Sequence, residues 1–369
     1  MAPFSKSFLG TTRISSPRVV IDLTDEKPSK IRVWLAEVRA PFLTGAIVPV
    51  VLGTSVAWAS TGTFLLDIFL LTLAAGIFIH IGSNVANDYF DHRSGTDDIN
   101  LEYVRPFTGG SRMIQKGWLS PGEVFLESIV FFVLGGGIGL YLAYTRGVEV
   151  LIIGIIGVCS GFFYTAPPFR LVNRGIGEIF VGLNFGVLMT LGAYFVQTQV
   201  LAWEAIFPSI PIAILITAVL YINEFPDYEA DKSVGKLTAV VRLGRKRAAK
   251  GYVVLMAALY VSILLPVFLN PTYWYTVLGL ATIPVAVLGC KYALAHYEES
   301  LQLTPAYAST VTNHLFTGLF LSLSYLLIGF SVPPLYIPVW GALCLTVSLA
   351  FYYQAERKAK AAASMMPTE

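Results

Sequence analysis

Charge is scarce in this sequence. Only 13% of its 369 residues are Asp, Glu, Lys or Arg, while 55% are hydrophobic. Ordinary soluble proteins carry about 25% charged residues. So little polar material cannot cover a water-facing surface around this much apolar side chain, which excludes a soluble domain. Cysteine is scarcer still, with three in the chain. Cys159, Cys290 and Cys344 sit far apart in apolar runs, a pattern that fits neither a disulfide framework nor a thiolate metal site. The net charge of +2 gives no bulk basic signal and argues against nucleic acid as a partner. No apolar segment follows the first basic residues, so the start does not read as a secretory signal. Residues 1–38 are expected to form a cytoplasmic tail.

What the sequence does hold is apolar runs. A crossing of the bilayer takes about 20 residues at 1.5 Å of rise each. Ten candidate runs occur: Phe42–Ala59, Phe64–Ala86, Val124–Ala143, Val148–Phe163, Ile179–Phe195, Ile206–Ile222, Tyr252–Leu269, Tyr273–Ala295, Leu315–Phe330 and Leu335–Tyr353. The expected fold is an all-α transmembrane bundle. Lysine and arginine test this count. If the chain crosses ten times, every Lys and Arg except Arg146 falls on one side. Positive residues concentrate in cytoplasmic loops, so both termini and the two long connections, residues 87–123 and 223–250, are expected in the cytoplasm. A prokaryotic cytoplasmic membrane is the expected location.

Those two connections carry the acids. The second run ends in Asn84-Val-Ala-Asn87-Asp88-Tyr-Phe-Asp91, followed by Gly95 and Asp97. Asn84, Asn87 and Asp91 share one helical face, and a helix ending at Gly95 lets Asp97 fold back toward them. The sixth run ends in Asn223-Glu224-Phe-Pro226-Asp227-Tyr-Glu-Ala-Asp231. Asn223, Asp227 and Asp231 again share a face if the segment is helical, although Pro226 predicts a kink or a break there. The same motif thus occurs twice, four crossings apart and so on one side of the membrane, as an internal duplication would place it. Asp88, Asp98, Glu102 and Glu229 read as solvated acids.

Clustered hard oxygens suit Mg²⁺, which takes one or two carboxylates and completes its shell with substrate phosphates. Asn87, Asp91, Asp97, Asn223, Asp227 and Asp231 are the candidate ligands. Two such sets could hold two ions on one diphosphate and help its carbon–oxygen bond ionise. Arg105, Arg112, Lys116, Lys232, Lys236 and Arg242 are candidate diphosphate-binding cations. Gly109-Gly110 could turn backbone amides toward phosphate oxygens.

At these residues the chain resembles the UbiA superfamily of membrane prenyltransferases, which carries two Asp-rich motifs after its second and sixth helices. The likeness runs from about Arg39 to Phe330. Within the family, three strings are most similar to the 1,4-dihydroxy-2-naphthoate branch of menaquinone synthesis: Asn87–Asp97, Tyr164-Thr-Ala-Pro-Pro-Phe-Arg170 through Glu178, and Asn223–Asp231 through Lys236 to Gly244. The resemblance implies a nine-helix core over residues 39–330. Residues 331–369 then add a tenth helix and a basic tail. It also implies a polyprenyl diphosphate with its head at the metal sites and its tail in an apolar channel. Asp91 and Asp227 become catalytic, with Tyr164 shielding the allylic cation. Where relatives often place a cation four residues after that tyrosine, this chain has Pro168, and Arg170 is the next cation. Arg39, Tyr164 and Arg170 are the candidate contacts to the aromatic acceptor. His80 reads as a core hydrogen bond within the second span.

Other acceptors occur in the same family: 4-hydroxybenzoate, homogentisate, chlorophyllide and glycerol lipids. A secondary transporter would also show duplicated halves and membrane acids, but at mid-span rather than at the ends of spans beside long basic loops.

Overall fold

The computed structural model describes residues 28–364. The tail cations Lys6, Arg13, Arg18 and Lys27 lie outside the described residues. All ten apolar runs are helical, and no strand occurs among the described residues. We number them α1 (Thr44–Thr61), α2 (Leu66–Ser94), α3 (Pro121–Arg146), α4 (Val148–Phe162) and α5 (Gly177–Thr198). The second half comprises α6 (Trp203–Ser233), α7 (Arg245–Leu269), α8 (Pro271–Ala295), α9 (Thr304–Gly329) and α10 (Ile337–Ser364).

Nine helices among the described residues are long and apolar enough to cross a membrane. The exception to the expected ten is α4, whose 15 residues span only about 22 Å at 1.5 Å each. It stops where Tyr164-Thr-Ala-Pro-Pro begins, since proline supplies no backbone N–H to continue a helix. The two helices that flank the first long connection show how local sequence sets helix limits. At the start of α3, Ser120 and Glu123 form a capping box and Pro121 occupies the first turn, where its missing N–H has no helical partner to lose. At the end of α2, Gly95 takes the left-handed conformation with φ 82°, which glycine adopts without a Cβ clash.

The packing centres on α1 and α6. α1 lies against α2, α5, α6 and α9, and α6 against α5, α7 and α9. Val48, Leu52, Tyr194, Ile212 and Tyr325 form the apolar cluster between α1, α5, α6 and α9. α10 packs outside, on α8 and α9, through Ile337, Trp340 and Cys344. α6 runs unbroken through Pro208, Pro211 and Pro226, so the break expected at Pro226 does not occur. In a bundle, neighbouring helices and local adjustments re-satisfy the backbone groups a proline frees.

α5 contains a π-helical stretch, Gly182–Leu188, of the kind that often marks a functional site. It approaches α6 so closely that a Cβ on Gly186 would lie 2.3 Å from Ala213 Cα. Gly186→Ala is expected to destabilise the protein by about 1–3 kcal/mol through overpacking. The lower thermal midpoint of detergent-solubilised protein should show it, with Gly137→Ala as the neutral comparison because its added Cβ meets nothing within 4 Å.

Candidate active site

The ends of α2 and α6 face each other across a cavity of about 200 Å³. Asn84, Asn87 and Asp91 enter it from α2, and Asn223, Asp227 and Asp231 from α6. The shared faces expected from i, i+3, i+7 and i, i+4, i+8 spacing are those that line it. Asn87 Nδ2 donates to Asp91 Oδ2 at 2.9 Å. After Gly95 a single turn, Thr96–Ile99, returns Asp97 to the cavity wall, where it is only 6% exposed.

Lys236 joins the two helices. Its Nζ donates to both Asp91 oxygens at 3.2 Å and lies 3.5 Å from Asp231 Oδ1. Burial works against its charge, but Asp231 and then Asp91 outweigh that and hold the ammonium pKa well above its ordinary value. Asp97 shows the opposite balance. Burial first, then Asp91 and Asp88, push its carboxyl up to about 9, against the pull of Lys236 and Arg112. Five carboxyl groups, Asp91, Asp97, Glu224, Asp227 and Asp231, line the cavity against two cations, Lys236 and Arg39, so it is short of positive charge.

Several residues that the motif spacing did not single out hold this arrangement. Asn100 Nδ2 donates to Asp227 Oδ1 at 2.6 Å and ties the first loop to the second motif. It lies in non-helical chain, where periodicity offers no signal. Glu178 and Glu224, both buried, fix the segment after Lys236. Glu178 Oε1 accepts from the Ala239 amide at 2.7 Å and Glu224 Oε2 from the Val240 amide at 3.4 Å. Asp88 is a correction. It is 3% exposed rather than solvated, and its Oδ2 accepts from the Ser111 amide at 2.7 Å. Gly110, at φ 65°, must be glycine there because a Cβ would lie 2.8 Å from Asp88 Oδ1. Asp98, Glu102 and Glu229 are exposed.

The predicted cations divide. Lys236 and Arg39 line the cavity. Arg39 NH2 donates to the Phe107 carbonyl at 3.4 Å, and its guanidinium sits 4.6 Å from the Phe42 ring centre. Arg112 stands behind the wall. It donates to the Asp97 carbonyl and, at 2.9 Å, to the Asn100 carbonyl. Arg105 donates to the Gly110 and Ser111 carbonyls, so it shapes the glycine turn. Arg242 donates to the Leu237 carbonyl at 2.9 Å. Lys116 rests over Trp118 and Lys232 over Tyr228. None of these five lines the cavity. Arg170 borders a neighbouring cavity of about 300 Å³, together with Arg93, Asp91 and Lys236. Tyr164 lines the main cavity. Its ring packs so closely on Gly177 that a Cβ there would lie 2.8 Å from Cε2. Burial raises the phenol well above its ordinary pKa, so it stays neutral.

A third cavity, about 380 Å³ and walled by apolar residues of α1 to α5, shares Ser83, Gly161, Asn184 and Phe185 with the first. Among the described residues no three His, Cys, Asp or Glu side chains cluster closely enough to hold a metal by themselves. The oxygen donors instead face each other as Asn and Asp sets, and the buried Asn223 Oδ1 has no hydrogen-bond partner. That all-oxygen set fits a hard cation such as Mg²⁺ whose shell a phosphate completes.

The profile of the UbiA prenyltransferase family matches residues 46–304, and the chain belongs to that family of membrane-embedded prenyltransferases. It is 30% identical over 300 residues to a 2-carboxy-1,4-naphthoquinone phytyltransferase of Synechocystis, covering 81% of this chain and 94% of that protein. It is also 30% identical over 304 residues to a 1,4-dihydroxy-2-naphthoate octaprenyltransferase of Escherichia coli, covering 80% and 96%. The structure of a UbiA homolog from Archaeoglobus fulgidus bound to DMAPP and Mg²⁺ shares the fold. Its TM-score is 0.55 at 18% identity, over 81% of this chain and 99% of that one.

Orienting partners of metal-site carboxylates typically carry 10–100-fold in affinity or activity. Asn100→Ala is therefore expected to lower prenyl transfer about 10–100-fold by freeing Asp227. Wild-type rates at saturating substrate would show that Asp227 is oriented from elsewhere.

Proposed function

We propose that this protein transfers a polyprenyl group from its diphosphate to an aromatic quinone precursor, 1,4-dihydroxy-2-naphthoate, in an Mg²⁺-dependent reaction. The observation that carries the reading is the pairing of two cavities. An oxygen-rich chamber between the two motifs adjoins an apolar groove, the two sharing Ser83, Gly161, Asn184 and Phe185 in their walls. A molecule with an anionic head and a long apolar tail matches both. The naphthoate acceptor follows the names of the Synechocystis and E. coli relatives.

In this reading Asn87, Asp91, Asp97, Asn223, Asp227 and Asp231 hold Mg²⁺ against the diphosphate, which neutralises the leaving group's charge. Lys236 is the cation between the two motifs and binds the diphosphate directly. Tyr164 presents a neutral ring face that can stabilise the allylic cation. Arg39 binds the acceptor carboxylate. The surrounding helices exclude water, which would otherwise capture the cation. Short α4 runs from the Arg146 end of the bundle, where Arg146 bonds to the Val196 and Gln197 carbonyls, to Tyr164 at the chamber and so completes ten crossings; the basic loops and both termini then face the cytoplasm of a prokaryotic cell, and α10 is an addition to the nine-helix core.

The test is transfer of a labelled polyprenyl diphosphate by the purified protein in lipid, with Mg²⁺ or EDTA, offering 1,4-dihydroxy-2-naphthoate and 4-hydroxybenzoate in parallel. Mg²⁺-dependent product with the naphthoate alone is expected. Product with 4-hydroxybenzoate alone would move the acceptor, and no diphosphate binding would overturn the reading. Asp91→Asn and Asp227→Asn are each expected to lower the rate at least about 100-fold while the protein still inserts. Arg39→Ala should raise the KM for the acceptor and leave that for the diphosphate within about two-fold, because a charged contact is lost on one substrate only.

A further inference from the structure

His80 stands one helical turn before Asn84 on α2. With Asn84, Asn87 and Asp91 it continues a single stripe at i, i+4, i+7 and i+11, and all four side chains line the main cavity. At 1.5 Å per residue it lies about 10 Å deeper than Asn87. The imidazole is 6% exposed. Its Nδ1 is sealed from solvent and has no hydrogen-bond partner, contrary to the core hydrogen bond expected for it. The ring is also held in place. Phe185 lies 4.7 Å away, centroid to centroid, and a Cβ on Gly45 would come within 3.0 Å of its Cε1.

A buried imidazole without a partner is unfavourable unless something else meets its hydrogen-bonding capacity. The shape of the cavity says what could. The residues shared with the apolar groove, Ser83, Gly161, Asn184 and Phe185, mark the side that the reading above gives to the prenyl tail. The part of the lining not shared with that groove includes Arg39, Phe42, His80, Ile216 and Leu220. These are aromatic and aliphatic walls with two polar points, a guanidinium and an imidazole. Flat walls suit an aromatic ring, the guanidinium a carboxylate and the imidazole a hydroxyl.

We propose that His80 forms the hydroxyl-binding point of the acceptor subsite, pairing with a ring hydroxyl of an aromatic acid whose carboxylate lies at Arg39. This rests on the acceptor reading above and adds the residue that positions the ring. Nδ1 is closed off beside Gly45, so the pairing is made by Nε2, and it gives the site a means to reject acids lacking that hydroxyl, since the missing partner would leave that nitrogen unpaired.

The experiment compares wild type, His80→Leu and His80→Gln with three acceptors: 1,4-dihydroxy-2-naphthoate and its 1-hydroxy and 4-hydroxy analogues, each lacking one hydroxyl. For wild type, removal of the paired hydroxyl is expected to lower kcat/KM for the acceptor about ten-fold or more. A weaker ring nucleophile costs both proteins alike, so in His80→Leu the penalty should shrink about ten-fold for one analogue and stay unchanged for the other, with the KM for the polyprenyl diphosphate unchanged. His80→Gln, which keeps a hydrogen-bonding group, should retain most of the discrimination and show that the leucine effect is not misfolding. Equal penalties in wild type and His80→Leu for both analogues would overturn the proposal. So would a diphosphate KM that rises as much as the acceptor KM. Wild-type turnover of the dihydroxy acid tests the acceptor reading separately. No turnover of any hydroxylated aromatic acid, 4-hydroxybenzoate included, would sink both.

Discussion

The structure turns on one buried ammonium. Carboxylates from two helices that are far apart in sequence converge between α2 and α6, and like charges in a medium of low polarity repel strongly. Lys236 sits between Asp91 and Asp231 and makes that convergence tolerable. Removing one partner of a buried ion pair is far more destabilising than exchanging the whole pair for apolar residues. Lys236 must therefore be placed with care, and the placement falls to Glu178 and Glu224, which anchor the amides of the following turn. A single ammonium cannot balance so many acids. The lining sets Asp91, Asp97, Glu224, Asp227 and Asp231 against Lys236 and Arg39 alone, a deficit of positive charge. It makes the site receptive to divalent cations, and with them to a diphosphate.

Most of the other basic residues near the site work on the protein itself. Arg105, Arg112 and Arg242 donate to main-chain carbonyls. Arginine suits this task because its planar fork of donors satisfies several carbonyls at once. Loops with left-handed residues such as Gly109, Gly110 and Arg112 point carbonyls inward, where water cannot satisfy them. The loop after α2 thus becomes a wall held together by side-chain to main-chain hydrogen bonds. Cation count alone overstates how many positive charges face a substrate.

Depth in the membrane orders the chemistry. The motif residues lie at the ends of α2 and α6, where polar side chains can be partnered by loop residues such as Asn100. Toward the middle of the spans the α6 lining becomes apolar, with Ile216, Val219 and Leu220. On α2 two polar residues, His80 and Ser83, persist. The apolar groove begins at the same level, beside the π-helical turn that carries Asn184 and Phe185. A substrate with a charged head and a hydrocarbon body is matched along that gradient.

Composition, the length of the apolar runs and the side-specific placement of Lys and Arg were enough to specify an all-helical membrane protein, because burying a backbone in lipid leaves the helix as one of very few solutions. The two Asn/Asp motifs were equally legible, since helical periodicity alone puts Asn87 with Asp91 and Asn223 with Asp227 on one face. Periodicity could not say which loop cation reaches the chamber. Lys236 does, while Lys116 and Lys232 lie on aromatic rings, because loop conformation depends on contacts made across the fold. The roles of Asn100, Glu178 and Asp88, and the unpartnered His80, were likewise invisible: each is defined by what stands opposite it. A helix carries its own hydrogen-bond pattern in local sequence, but a buried polar side chain is explained only by its neighbours, and those the tertiary structure alone decides.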